Sequence, residues 1–305
     1  MIYRLCVILW LPALLYAVPQ FGLQEGASSF QFLKKHASPR LVGLSGAGAA
    51  LTGNALEATD LNPASAASDS AGVYLGTIYP YRETNSKMPV ITWNIPYDQY
   101  RFYLSSRLLK FDKIRGFDSD DQFTGYYGAY NLKAQTGVAG RIRNFFWGVS
   151  CNFVEQSISV ANYHSVMMDI GAQYHVFKGL WAGMSATHID IWTSSAYDKK
   201  NYTDPIAPIA IQGGMAYQMN LPKKLGAKVV IDGLSRNDED LIIPAGVELN
   251  WREVLFFRTG YEFLRQEVAL TFGAGCKWNR FLFDYAMERH TSLSPGHYFS
   301  LGIRW

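Results

Sequence analysis

Apolar side chains alternate with polar or small ones along most of the chain from residue 71 onward. Successive side chains of a β-strand point to opposite faces, so this period of two predicts strands with one apolar and one polar face. The carboxyl terminus is the clearest example, and its apolar face carries His297, Phe299, Leu301, Ile303 and Trp305.

The same pattern recurs about 14 times, which predicts an all-β protein. The predicted strands cover residues 71–79, 88–96, 99–109, 134–143, 145–157, 163–175, 178–189, 208–219, 226–235, 241–251, 254–264, 268–277, 280–288 and 296–305. An even number of strands is typical of a closed bacterial β-barrel. Residues 121–131 are either a fifteenth strand or part of a long loop, and we assign them to the loop.

The connections between the predicted strands alternate in length. Those after even-numbered strands are tight, such as residues 143–144, whereas those after odd-numbered strands are mostly longer, above all residues 110–133 and 190–207. Outer-membrane barrels have short periplasmic turns and long outer loops, and a soluble β-sandwich or propeller has no reason to alternate in this way. We therefore predict a transmembrane antiparallel β-barrel over residues 71–305, in contact with bacterial outer-membrane lipid.

Composition excludes several other classes of protein. Only 17% of the residues are charged and 49% are hydrophobic, yet past the amino terminus no run of about 18 apolar residues occurs, which excludes a helical membrane protein. The net charge of +3 comes without any basic tract, so nucleic acid is not an expected partner. The six histidines lie apart and Ser45 lacks the setting of a nucleophile elbow, so we expect no metal, no cofactor and no enzymatic activity.

The amino terminus has the pattern of a secretory signal peptide. One positive charge at Arg4 precedes an apolar run over residues 5–16, and Ala17 offers a small residue for cleavage. Residues 1–17 are therefore predicted to direct export and to be removed.

Residues 18–70 lack the alternating apolar face of the predicted strands. Residues 43–53 read GLSGAGAALTG, a composition that cannot form a strand facing lipid. A segment of about 50 residues is long enough to fold into the barrel lumen, so we predict a hatch or plug.

The polar faces of the predicted strands carry charges of both signs. The predicted lumen charge network comprises Arg101, Arg107, Arg141, Asp169, Glu248, Arg258, Glu262, Lys277, Asp284 and Glu288. Buried charges must pair or stay hydrated. These residues are therefore interpreted either as structural ion pairs, which we favour, or as the lining of a transport path.

Several motifs resemble those of a known family. Residues 28–33, 39–47 and 58–64 resemble the amino-terminal signature of the PorV/PorQ family, which is related to the FadL-like outer-membrane transporters. The residues that carry this hatch motif are Phe30, Phe32, Leu33, Arg40, Gly43, Gly46, Asn62, Pro63 and Ala64. Later matches lie at residues 168–174, 257–261 and 299–305.

The resemblance implies a 14-stranded outer-membrane barrel with an amino-terminal hatch. It also implies a role in type IX secretion, in which such proteins dock secreted cargo or anchor a surface complex. The last strand is predicted to be the signal read by the barrel-assembly machinery, through Phe299, Leu301, Ile303 and Trp305.

Two functions follow from these observations. As a secretion accessory, the barrel would present its long loops to secretion-system subunits or cargo, and its lumen would be sealed. As a FadL-like transporter, it would pass a hydrophobic small molecule and contain an apolar pocket. The inward side chains are mostly small, polar or charged, so the accessory role is our first hypothesis.

Overall fold

A computed structural model describes residues 26–80, 86–159, 161–195, 205–264, 270–289 and 294–305. The predicted signal peptide (residues 1–17) and the start of the predicted hatch lie outside these residues. The strands are β1 Gly72–Tyr79, β2 Met88–Tyr97, β3 Tyr100–Lys110, β4 Ile114–Phe117, β5 Phe123–Tyr127, β6 Ala129–Ile142, β7 Phe145–Ile158, β8 Ala161–Phe177, β9 Leu180–Ser195, β10 Ala210–Leu221, β11 Leu225–Arg236, β12 Glu239–Trp251, β13 Leu255–Phe263, β14 Leu270–Trp278, β15 Phe281–Arg289 and β16 Gly296–Arg304.

Fourteen of these strands form a closed antiparallel barrel, which confirms the predicted fold class. Each barrel strand pairs with its neighbour along the chain, and β1 closes the circle by pairing with β16. The remaining two strands, β4 and β5, form a separate hairpin within the connection between β3 and β6.

Residues 121–131, which the sequence assigns either to a strand or to a loop, contribute to two strands in the structure. Their first part forms β5 in the separate hairpin, and Ala129 already belongs to β6, five residues before the predicted start. Outward Tyr130 and Leu132 already alternate there with buried inward Asn131 and Lys133, so the strand pattern begins before the predicted start. A second difference is that β9 continues to residue 195, so the predicted loop 190–207 is shorter than expected.

The barrel wall is apolar outside and polar inside. Exposed outward side chains include Trp93, Phe102, Phe153, Phe257 and Phe283. An apolar exterior around a closed barrel requires hydrocarbon rather than water around it, as in a transmembrane β-barrel. Within the described residues, no helix is long and apolar enough to cross a bilayer.

Residues 26–70, named here the N-terminal segment, lie inside the barrel. They form two short α-helices, α1 Pro39–Val42 and α2 Ala55–Asp60, and two 3-10 turns, Gln31–Lys34 and Pro63–Ser68. Side-chain caps begin the helices, since Ser38 accepts a hydrogen bond from Leu41 N and Asn54 accepts one from Leu56 N.

The N-terminal segment runs along the lumen from one mouth of the barrel to the other. Gly26 N donates to the carbonyl of Asp238, in the turn between β11 and β12. At the opposite end, Asp69 lies 3.5 Å from the Arg304 guanidinium at the end of β16. We call the first mouth the long-loop end and the second the short-turn end.

Candidate functional site

The lumen is closed where the backbone of the N-terminal segment lies directly on the wall. The wall positions at these contacts are glycines, Gly148, Gly183, Gly246, Gly260 and Gly273, and a further glycine, Gly171, lies against the side chain of Asn62. A Cβ at Gly260 would lie 2.5 Å from the Leu44 carbonyl carbon, and one at Gly148 would lie 2.6 Å from Ala64 N. No larger residue fits there unless the segment moves away.

The glycine-rich and Asn-Pro-Ala parts of the predicted hatch motif make these contacts. Asn62 and Pro63 lie against Gly171, and Pro63 and Ala64 lie against Gly148. Asn62 Nδ2 also donates to the Ala49 carbonyl at 2.7 Å, which joins the two parts of the motif.

Polar wall side chains bind the backbone of the glycine-rich turn. The Asp232 carboxylate accepts hydrogen bonds from Gly48 N at 2.7 Å and Ala49 N at 2.8 Å. Gln212 Nε2 donates to the Gly46 carbonyl at 2.8 Å, and Gln173 Nε2 donates to the Ala49 carbonyl at 3.0 Å. These bonds satisfy a turn whose own side chains offer almost no polar groups.

A buried charge cluster joins the N-terminal segment to β12, β13 and β15. Arg40 donates two hydrogen bonds to Glu248, at 2.8 and 2.9 Å, and one to Glu57 at 3.0 Å. Arg258 donates to Glu248 at 2.7 Å and to Asp284 at 2.5 Å. The predicted network residues Glu248, Arg258 and Asp284 therefore do meet, through Arg40 of the hatch motif.

Three other residues of the predicted network also form ion pairs, although with partners that the sequence did not indicate: Arg107, Asp169 and Glu288. Arg107 lies 3.3 Å from Asp60, and Lys133 lies 4.0 Å from Asp169. Asp60 also accepts from Ala37 N and Ser38 N.

Other predicted network residues lie away from this cluster. Arg141 and Lys277 are exposed at the short-turn end, although Lys277 lines the cavity that Arg40 and Glu248 also line, so their part in the network stays a prediction. Arg101 donates to backbone carbonyls, including Asp69 O at 3.1 Å, and Glu262 is half-buried.

Glu57, Asp60 and Asp69 are the counter-charges that sequence reasoning missed. All three are buried and lie on the N-terminal segment. They precede β1, so the inward faces of the predicted strands do not include them. Their signal is that they are the acidic residues of a segment that also carries the basic residues Lys34, Lys35 and Arg40.

A second missed feature is an apolar patch on the inner wall in the half nearer the long loops. It consists of Ile78, Met88, Val90, Val154 and Met167, all buried. Phe30, Phe32 and Leu33 of the hatch motif pack into it, and Phe30 is 0% exposed. The phenyl rings of the N-terminal segment thus fill the apolar site of the lumen.

Several titratable groups at or on the N-terminal segment have displaced pKa values, among them His36, Glu57 and Asp238. Burial lowers the pKa of His36 to about 4 and raises the pKa of Glu57 above its ordinary value. Burial of Asp238 opposes ionisation, but hydrogen bonds from Lys34, Ser28 and Gln31 hold its pKa below the ordinary value.

The cavities agree with a closed lumen. Beside His36 and Tyr298 lies a cavity of about 60 Å³, and a more open one of about 200 Å³ lies at the short-turn end beside Arg40 and Lys277. Two larger apolar grooves, of about 680 and 530 Å³, are lined mainly by outward side chains such as Phe257 and Trp93. They face the bilayer.

Comparisons with known proteins agree with this architecture. No protein-family model and no curated protein matches the sequence. Among solved structures, the Ralstonia pickettii toluene transporter TbuX is similar with a TM-score of 0.62 and 13% identity, over 90% of this chain and 100% of that one. The fold is that of FadL-like outer-membrane barrels.

Two further structures support the same conclusion. The monoaromatic hydrocarbon channel CymD matches with a TM-score of 0.58 and 12% identity, over 88% of this chain and 97% of that one. The Pseudomonas putida toluene transporter TodX matches with a TM-score of 0.55 and 11% identity, over 92% and 96%. At these identities the likeness concerns the fold, and the fold agrees with the predicted outer-membrane location.

Proposed function

We propose that this protein is an outer-membrane channel for hydrophobic small molecules about the size of one aromatic ring. The observation that carries the proposal is the apolar patch on the inner wall, filled by Phe30 and Phe32. A patch that accepts two phenyl rings of the N-terminal segment has the chemistry to accept a free monoaromatic molecule. The similar structures include a toluene transporter and a monoaromatic hydrocarbon channel, which supports the same class of substrate.

Passage requires the N-terminal segment to move, since its backbone lies directly on the wall. The part that carries Phe30 and Phe32 is held at the long-loop end by Asp238, which accepts hydrogen bonds from Ser28, Gln31 and Lys34. These contacts are polar and lie at the mouth, whereas the Arg40 cluster lies deeper. We propose that a solute entering from the long loops displaces the phenyl rings, and that the segment is therefore a hatch.

The test is a reversible lock between the segment and the wall. Ser45 Oγ and Thr271 Oγ1 lie 2.9 Å apart, so a Ser45→Cys/Thr271→Cys variant is expected to form a disulfide that holds the segment in place. Uptake of labelled toluene would be measured in a Gram-negative host that lacks channels of this fold. We expect uptake with the wild-type chain, loss of uptake in the oxidised variant and recovery after reduction. The matched controls are the two variants that carry only one of these substitutions, Ser45→Cys or Thr271→Cys.

Uptake that the disulfide leaves unchanged would contradict movement of the segment. Uptake no higher than in the host alone would contradict the proposed channel function itself.

A second candidate is the accessory role in type IX secretion. The sealed lumen and the PorV/PorQ-like motifs favour it, and the hairpin of β4 and β5 offers exposed aromatic side chains, Phe117, Phe123 and Tyr126, for docking. A deletion strain tests this role. Retention in the periplasm of proteins with a type IX sorting domain would support it, and unchanged export would exclude it.

A further inference from the structure

The tight turns at the short-turn end carry a ring of positive charge. Their basic residues are Arg143, Lys178, Lys223, Lys224, Arg252 and Arg280, and their acidic residues are Asp98 and Glu253. All six basic side chains are exposed. In the part of the chain that the structure describes, none of the six has a carboxylate within salt-bridge distance.

This ring is a product of topology rather than of sequence clustering. The basic residues lie up to 137 positions apart, between Arg143 and Arg280, and form no tract longer than two. Because consecutive strands are antiparallel, every second connection returns to the same end of the barrel. Five of the six tight turns contribute at least one basic residue, so the charge surrounds the mouth.

Aromatic side chains mark the bilayer interface at this same end. The exposed outward rings next to the turns are Tyr97, Phe145, Phe177, Trp251, Trp278 and Trp305. Aromatic belts of transmembrane barrels lie at the level of the lipid headgroups. The Arg252 guanidinium lies 4.8 Å from the ring centroid of Trp251, which places one charge of the ring directly on the belt.

We propose that the basic ring binds the phosphate groups of anionic phospholipids in the leaflet at the short-turn end. The charges follow the circumference beside the aromatic belt, where a shell of lipid headgroups lies, and they are not gathered on one face as a single protein partner would require. Their side chains are exposed and lack acidic partners, so a lipid phosphate replaces no existing ion pair.

Lipid selectivity tests this proposal with purified protein in bilayers. The association constant of brominated phosphatidylglycerol relative to brominated phosphatidylcholine would be measured by quenching of the intrinsic tryptophan fluorescence. One basic group near an anionic surface contributes about a fivefold preference at low salt. We expect a preference of about fivefold or more for phosphatidylglycerol, falling towards one at roughly 0.5 M salt, where screening is strong.

Two quadruple variants separate this ring from general electrostatics. Lys223→Gln, Lys224→Gln, Arg252→Gln and Arg280→Gln together should reduce the preference several-fold, and the remainder is expected from Arg143 and Lys178, which this variant retains. Replacing Lys87, Lys110, Lys113 and Arg115 with Gln removes the same charge from exposed residues near the long loops and should leave the preference unchanged. Heat-modifiable gel mobility would verify that both variants form the barrel.

Three outcomes would overturn the proposal: no preference in the wild type, a preference as large in the short-turn variant as in the wild type, or an equal loss in the long-loop variant.

Discussion

Removal of the Arg40 side chain is expected to release the N-terminal segment from the wall. Arg40 makes three hydrogen bonds to the carboxylates of Glu57 and Glu248, and these side chains are at most 12% exposed. In an Arg40→Met variant Glu248 keeps Arg258 as its partner, but Glu57 loses its only ion pair among the described residues. Breaking a buried pair from one side costs about 3–5 kcal/mol.

That cost changes the population of the displaced state. A difference of about 3–5 kcal/mol corresponds to a factor of roughly a hundred to several thousand. If closure of the lumen depends on this cluster, the variant should open far more often than the wild type. Single-channel conductance in planar bilayers measures the open fraction directly. Arg141→Met is the control because Arg141 is exposed, lies 5.6 Å from the ring of Phe146 and forms no salt bridge among the described residues.

The pH dependence of the Arg40→Met variant provides a second readout. Burial already raises the pKa of Glu57, and without Arg40 the rise is greater because the nearest positive charge is gone. A group whose pKa is higher in the closed state stabilises that state at low pH and loses this contribution as pH rises. The variant should therefore close better near pH 5 than near pH 7.

An Arg40→Met/Glu57→Leu double variant should recover much of the closure, because it leaves no unpaired charge on the segment. Equal open fractions in Arg40→Met and Arg141→Met would refute the reasoning.

Three further changes should alter closure. A Gly148→Leu side chain would overlap Pro63, and overpacking of about 1–3 kcal/mol should raise the open fraction about five- to a hundredfold in the same recordings, whereas the outward Val149→Leu should not. Burial lowers the pKa of His36 from 6.5 to about 4. Protonation of His36 should therefore weaken closure by about 3 kcal/mol as pH falls between these two values, and His36→Gln should flatten that part of the pH profile. Asp238→Asn should raise the open fraction at pH 7 and remove the loss of closure that the wild type shows as pH falls through the lowered pKa of Asp238, as conductance against pH would reveal.

The sequence predicts the wall well because burial and period-two alternation coincide there. Phe299, Leu301 and Ile303 share the outward face as expected, and the tight turns are correct because few residues can join adjacent antiparallel strands. The prediction is less accurate at the start of β6, which lies within the connection that the sequence assigns to a long loop. The assembly role of the last strand stays a prediction.

The interior is harder to predict because its contacts join residues far apart in the chain. Nothing local indicates that Arg40 meets Glu248, 208 positions later, or that Gly260 lies under Leu44. The wall glycines look like ordinary small residues until the backbone against them is known. The inner apolar patch was missed because its members come from different strands, each of which also carries polar inward residues.

The circular order of the strands constrains how the barrel assembles. β1 and β16 form the closing seam, yet the N-terminal segment precedes β1 and contacts wall strands on most of the circumference. Its charged residues Arg40 and Glu57 cannot cross the finished wall through lipid at low cost. The seam is therefore expected to close last, around a segment already in position. The N-terminal segment would then set the circumference of the barrel, because the strands would close around it.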